Sequence, residues 1–87
     1  MTVEWNPHAV EPGQVWRSWD TRERHKDVPR LVVEHVLAPG PGQRFGQAVV
    51  RREYSDGRVG RDGEPLRGRI RLDRFKERSN GYRKVEG

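Results

Sequence analysis

An eight-residue, valine-rich run, Arg30–Leu37 (RLVVEHVL), ends abruptly in Ala38-Pro39-Gly40-Pro41-Gly42. No other boundary in this chain constrains its fold as much. The two prolines lack the amide proton that a strand ladder or a helix interior needs, and the two glycines weaken either element. The chain must therefore turn here. The run before the turn is short and β-branched, which predicts a strand. Extended, it puts Leu31, Val33, His35 and Leu37 on one face and Arg30, Val32, Glu34 and Val36 on the other. His35 is then expected on the apolar-leaning face, as a satisfied, partly buried histidine.

The same alternation of short strand and turn recurs. Gln14–Trp19 (QVWRSW) is a first strand, with Val15, Arg17 and Trp19 on one face and Trp16 on the other. Asp20–Pro29 (DTRERHKDVP) is polar, closed by a proline, and reads as a long loop. Arg44–Tyr54 (RFGQAVVRREY) is a third strand, ended by the hairpin signal Ser55-Asp56-Gly57, and a second turn follows at Asp62-Gly63. In Leu66–Leu72 (LRGRIRL) the residues Leu66, Gly68, Ile70 and Leu72 point inward and Arg67, Arg69 and Arg71 outward. Asp73–Phe75 forms a tight helical turn, Ser79-Asn80-Gly81 another turn, and Tyr82–Val85 a short closing strand. Residues 1–13, with Pro7 and Pro12-Gly13, read as an N-terminal arm whose anchors are Trp5 and Val10.

Three alanines and four leucines leave little material for amphipathic helices, and no window carries a 3.6-residue period. Five short strands with one helical turn before the last predict an all-β chain, a small SH3-like barrel over residues 14–87. An OB-like barrel is the alternative, although it ordinarily needs more residues and a helix. At 87 residues the core must be small. The absence of cysteine excludes a disulfide framework, a thiolate metal site and a cysteine nucleophile. No apolar run approaches the length of a membrane span. The opening Met-Thr-Val-Glu-Trp lacks the basic-then-apolar order of a signal peptide, so a cytoplasmic protein is expected.

The net charge of +5 is unevenly placed. Residues 1–43 carry five basic and six acidic side chains, whereas residues 44–87 carry thirteen basic and seven acidic. Fifteen of the eighteen bases are arginine, the side chain best suited to bidentate phosphate contacts, although a GC-rich genome produces the same bias. On a strand, Arg67, Arg69 and Arg71 stand about 6–7 Å apart on one face, near the spacing of successive phosphates. Arg51, Arg52, Arg74 and Lys76 extend that patch. The competing expectation is a solvated sheet face whose arginines pair with Glu53, Asp73 and Glu77.

Pro-Gly-Gln-Val-Trp (12–16), Trp-Asp-Thr-Arg (19–22), Arg-Ile-Arg-Leu-Asp-Arg-Phe (69–75) and Gly-Tyr-Arg-Lys-Val (81–85) stand in that order. Together they resemble short proteins of unknown function encoded by actinobacteria and their bacteriophages. The resemblance implies a bacterial or phage context. Gly13-Gln14-Val15-Trp16 followed by Pro29-Arg30-Leu31-Val32-Val33 also resembles the opening strands of MazF/PemK-type toxins, with Pro29-Arg30 where that family carries Arg-Pro. That second resemblance implies an SH3-like endoribonuclease.

The remaining chemistry is sparse. His8, His25 and His35 match no zinc spacing, and the turn glycines form no phosphate-cradling motif, so neither metal nor cofactor is expected. No serine or threonine has a histidine at a suggestive place, so no catalytic residue is assigned. The chain reads as a non-catalytic binding protein. Nucleic acid is the first expected partner, held by Arg51, Arg52, Arg67, Arg69, Arg71, Arg74 and Lys76. An acidic protein surface, met by Trp5, Trp19, Arg22 and Arg24, is the alternative, with a homodimer also open.

Overall fold

The computed structural model describes residues 3–18, 28–77 and 81–86. The expected strand Gln14–Trp19 forms as β1 over Val15–Ser18, and the valine-rich run forms β2 over Arg30–Leu37. Gly46 closes the following loop, and β3 runs over Gln47–Glu53. After the 54–65 connection come β4, Leu66–Arg71, a 3-10 turn at Leu72–Arg74, and β5, Tyr82–Glu86. The chain is all-β as expected, with five antiparallel strands in one sheet of order β4-β3-β2-β1-β5. Among the described residues the 3-10 turn is the one helical element, and none is long and apolar enough to cross a membrane.

The order of strands and the turn before β5 follow the SH3-like plan. Among the described residues the edge strands β4 and β5 do not pair with each other. The sheet nevertheless curls, since Ile70 of β4 and Tyr82 of β5 line the same clefts. Curling gives the sheet a concave side that fills with Val10, Trp16, Leu31, Val33, Ala48, Val50, Ile70, Leu72 and Phe75. Phe75 is the hub. Its ring meets Trp16 edge-on at 5.0 Å and Tyr82 at 5.4 Å. Buried aromatic pairs of this kind add about 0.5–1.5 kcal/mol beyond the area they cover.

The arm belongs to this core. Val10 is fully buried, and Trp5 packs against the buried cluster. The Asn6 amide closes a local loop by donating to the Val10 carbonyl and accepting from its N–H. Buried Gln14 fastens arm to strand: its Oε1 accepts from Trp16 Nε1 and the Glu11 N–H, and its Nε2 donates to the Ala9 carbonyl. Trp5, expected to dock either on the barrel or on a partner, lies half-buried against the chain's own core. Trp19, Arg22 and Arg24, the other expected partner contacts, lie outside the described residues.

The alternation of β4 is as expected, since its ladder with β3 runs in unbroken register from Gln47 opposite Arg71 to Arg52 opposite Leu66. That of β2 is not. Val33 pairs with Val50 but His35 pairs with Val49, so Glu34 is an extra, bulged residue. A bulge turns two successive side chains to the same side and resets the alternation beyond it. Glu34 and His35 therefore both face outward, and Val36, not His35 or Leu37, packs against the core. The expectation of a partly buried His35 is corrected accordingly: the side chain is exposed.

Candidate nucleic-acid interface

Period-two geometry sorts the arginines before any charge is considered. Arg51 pairs with Arg67 across β3 and β4 and shares the outer face with Arg69 and Arg71. Arg52, one residue on, points to the concave side. Its guanidinium lies over Gly68, where a Cβ would sit 2.5 Å from Nη2, and its Nη1 donates to the Arg67 carbonyl at 3.3 Å. Gly68 thus leaves the space that lets Arg52 cross the strand.

The bulged Glu34 changes what the outer face offers. Its carboxylate accepts from Arg67 Nε at 2.7 Å and from Arg51 Nη1 at 3.5 Å, and its side chain is only 19% exposed. The hydrogen bond from Arg67 holds the Glu34 carboxyl below its ordinary pKa and raises that of Arg67. Arg51 also donates to Glu53 at 3.0 Å. Arg71 is held by Asp73, with Nη2 on Oδ2 at 3.0 Å, and the hydrogen bonds between them push the arginine up and the aspartate down. Of the three-arginine stripe, Arg69 forms no ion pair or side-chain hydrogen bond among the described residues. The expected ion pairing of this face is therefore present through Glu53 and Asp73 and also through Glu34, which sequence reasoning missed, whereas Glu77 forms no ion pair among the described residues.

Four of the expected binding residues nevertheless converge. Arg52, Arg69, Arg71 and Arg74 line one cleft of about 430 Å³ with Ile70 and Tyr82, in the opening between β4 and β5. Among the described residues no carboxylate lines it. Arg74 arrives there because the 3-10 turn continues β4, and Tyr82 because β5 returns across the gap with its ring backed by Phe75. Lys76 sits apart, in a cleft shared with Arg44, Phe45 and Asp73. Arg44 lies 5.3 Å from the centre of the Phe45 ring, which makes Phe45 a half-exposed support for cations.

Comparison with protein-family models, with curated proteins and with solved structures returns no match.

Proposed function

We propose that this protein binds single-stranded nucleic acid, without catalysis, in the cleft between β4 and β5. The observation that carries this reading is that Arg52, Arg69, Arg71 and Arg74 line one cleft with Tyr82, and that of these only Arg71, held by Asp73, meets a carboxylate among the described residues. Guanidiniums provide forked donors for successive phosphates, and an aromatic ring gives a sequence-tolerant platform for a base, worth about 1–3 kcal/mol where it stacks. A cleft of about 430 Å³ is large enough for a nucleotide or two of an unpaired strand. Arg67 and Arg51, bound to Glu34, act as the rim of this surface rather than as its phosphate contacts.

Fluorescence anisotropy with labelled single- and double-stranded DNA and RNA at about 50 and 200 mM salt tests the reading. Single strands should bind more tightly than duplexes, with a log–log salt slope of about −1.5 to −3, the value for two to four phosphate contacts. The triple variant Arg69→Ala/Arg71→Ala/Arg74→Ala should lose most of that affinity and most of the slope. Absence of binding at low salt, or a triple variant that binds like the parent, overturns the proposal.

A further inference from the structure

The concave side of the sheet continues past Arg52 into a second cleft, of about 420 Å³, lined by Ser18, Leu31, Arg52, Tyr54, Ile70 and Tyr82 among others. Strand register puts these residues on one side of the sheet. Ser18 pairs with Tyr82; Trp16, two residues before Ser18, pairs with Leu31, and Leu31 in turn pairs with Arg52. Ile70 pairs with Ala48, which lies in the same period-two series as Val50 and Arg52. Tyr54, two residues beyond Arg52, follows it to that side. Leu31 and Ile70 are buried in the core and floor the cleft, while Arg52, Tyr54 and Tyr82 are half-buried. Both rings are braced, Tyr82 by Phe75 at 5.4 Å and Tyr54 by the Arg58 guanidinium, 4.3 Å from the ring centre.

This cleft and the arginine cleft between β4 and β5 share Arg52, Ile70 and Tyr82. What each adds is different. The arginine cleft adds Arg69, Arg71 and Arg74, whereas this one adds apolar and aromatic side chains and, among the described residues, no carboxylate and no cation besides Arg52. A nucleotide is divided in the same way, into a phosphate and a flat, largely apolar base joined through one sugar. A phosphate held on the arginine side therefore leaves its own base at this cleft, whose volume lies in the range of small-ligand sites, about 300–1,000 Å³. Arg52 stands at the junction, its guanidinium over Gly68 and its Nη1 on the Arg67 carbonyl at 3.3 Å, with its remaining donors unused among the described residues. A guanidinium donates and never accepts. Its fork matches the paired acceptors N7 and O6 of guanine, whereas adenine sets a donor, its N6 amino group, beside N7.

We propose that this apolar cleft is a base pocket, which takes one unstacked guanine of the bound strand against the tyrosine rings, with Arg52 on its N7/O6 edge. The proposal rests on the strand-binding reading and adds to it a subsite and a base preference.

The test is anisotropy with the full chain and abasic oligonucleotides that carry one central guanine, one central adenine or no base. All three have the same phosphates, so they should share one salt slope. The guanine strand should bind at least about fivefold more tightly than the adenine strand, the low end for a bidentate arginine–guanine contact. The adenine strand should in turn bind at least about fivefold more tightly than the base-free one, the low end for stacking on an aromatic ring. R52Q should bring the guanine and adenine strands within about twofold of each other, since a glutamine amide both donates and accepts and so matches adenine. Tyr54→Leu alters this cleft and not the arginine cleft, so it should narrow the gap between base-bearing and base-free strands at an unchanged salt slope, and it keeps the test open if R52Q does not fold. Failure to bind any of the three strands at low salt overturns the strand-binding reading and this proposal with it. Three equal affinities with the salt slope intact overturn the base pocket alone and leave the cleft to an apolar partner. Equal affinities for guanine and adenine, or a folded R52Q that keeps the guanine preference, overturn it as well.

Discussion

Replacing Gly46 by alanine tests whether the N-terminal arm is part of the folded core. Gly46 sits where the arm, the end of β2 and the 3-10 turn meet: its N–H donates to the Trp5 carbonyl, and its own carbonyl accepts from the Leu72 N–H. A Cβ at this position would lie 2.2 Å from the Leu37 carbonyl oxygen, 2.8 Å from Trp5 Cε3 and 3.0 Å from Leu72 Cδ1. The first of these is backbone, so relief requires the chain itself to move by roughly an ångström. Overpacking of this kind costs about 1–3 kcal/mol, and the two strained hydrogen bonds add about 0.5–1.5 kcal/mol each. The total, about 2–6 kcal/mol, is a large part of the stability of a domain this size, roughly 4–13 kcal/mol. At about 4–8 °C per kcal/mol, the melting temperature should drop by at least about 8 °C. Gly40→Ala is the control, because its Cβ would meet nothing closer than Gln43 Oε1 at 3.6 Å. Differential scanning calorimetry of both variants reads the result. If Gly46→Ala melts within about 3 °C of the parent, less than 1 kcal/mol has been lost and the docked arm is wrong.

The Glu34→Gln variant removes the carboxylate that occupies Arg51 and Arg67, so affinity for single strands should rise and the salt slope should steepen by about one to two phosphate contacts; an unchanged slope in the anisotropy assay would place those arginines away from any strand. Acid should destabilise the fold in a defined window. Glu34 and Asp73 have folded-state pKa values below their ordinary ones, because hydrogen bonds from Arg67 and Arg71 favour the charged forms. Their contribution is complete at neutral pH, and it is lost as the pH falls from about 4.5, the ordinary glutamate value, through the lower folded-state values. Urea midpoints should therefore hold steady near neutrality and decline below that point, with a smaller decline in Glu34→Gln. A midpoint that rises on acidification contradicts the pairing.

Residue order alone determined the strands, because each depends on neighbours in sequence: alternation of Val, Leu and Ile with polar residues, and Gly or Pro at the ends. It determined in the same way that Arg67, Arg69 and Arg71 share a face, since β4 is an unbroken strand with a period of two. The helical turn ahead of β5 was legible within one residue, at Leu72–Arg74 rather than Asp73–Phe75. That Phe75 would be the hub of the core was not, because its burial depends on where β1 and β5 carry Trp16 and Tyr82. Grouping Arg51 with Arg52 in one patch overlooked that successive strand residues point to opposite sides; Arg52 reaches the β4–β5 cleft only because Gly68, sixteen positions away, has no side chain.

The bulge at Glu34 was decided by tertiary structure. Nothing in RLVVEHVL marks an extra residue, and the register with β3 alone reveals it. That single insertion exposes His35, brings Val36 to the core and aims a carboxylate between Arg51 and Arg67. The charges of the sequence were therefore visible from the start, but which of them remain available to an anion was not. Availability depends on distances between strands, and those are set only when the sheet pairs and curls.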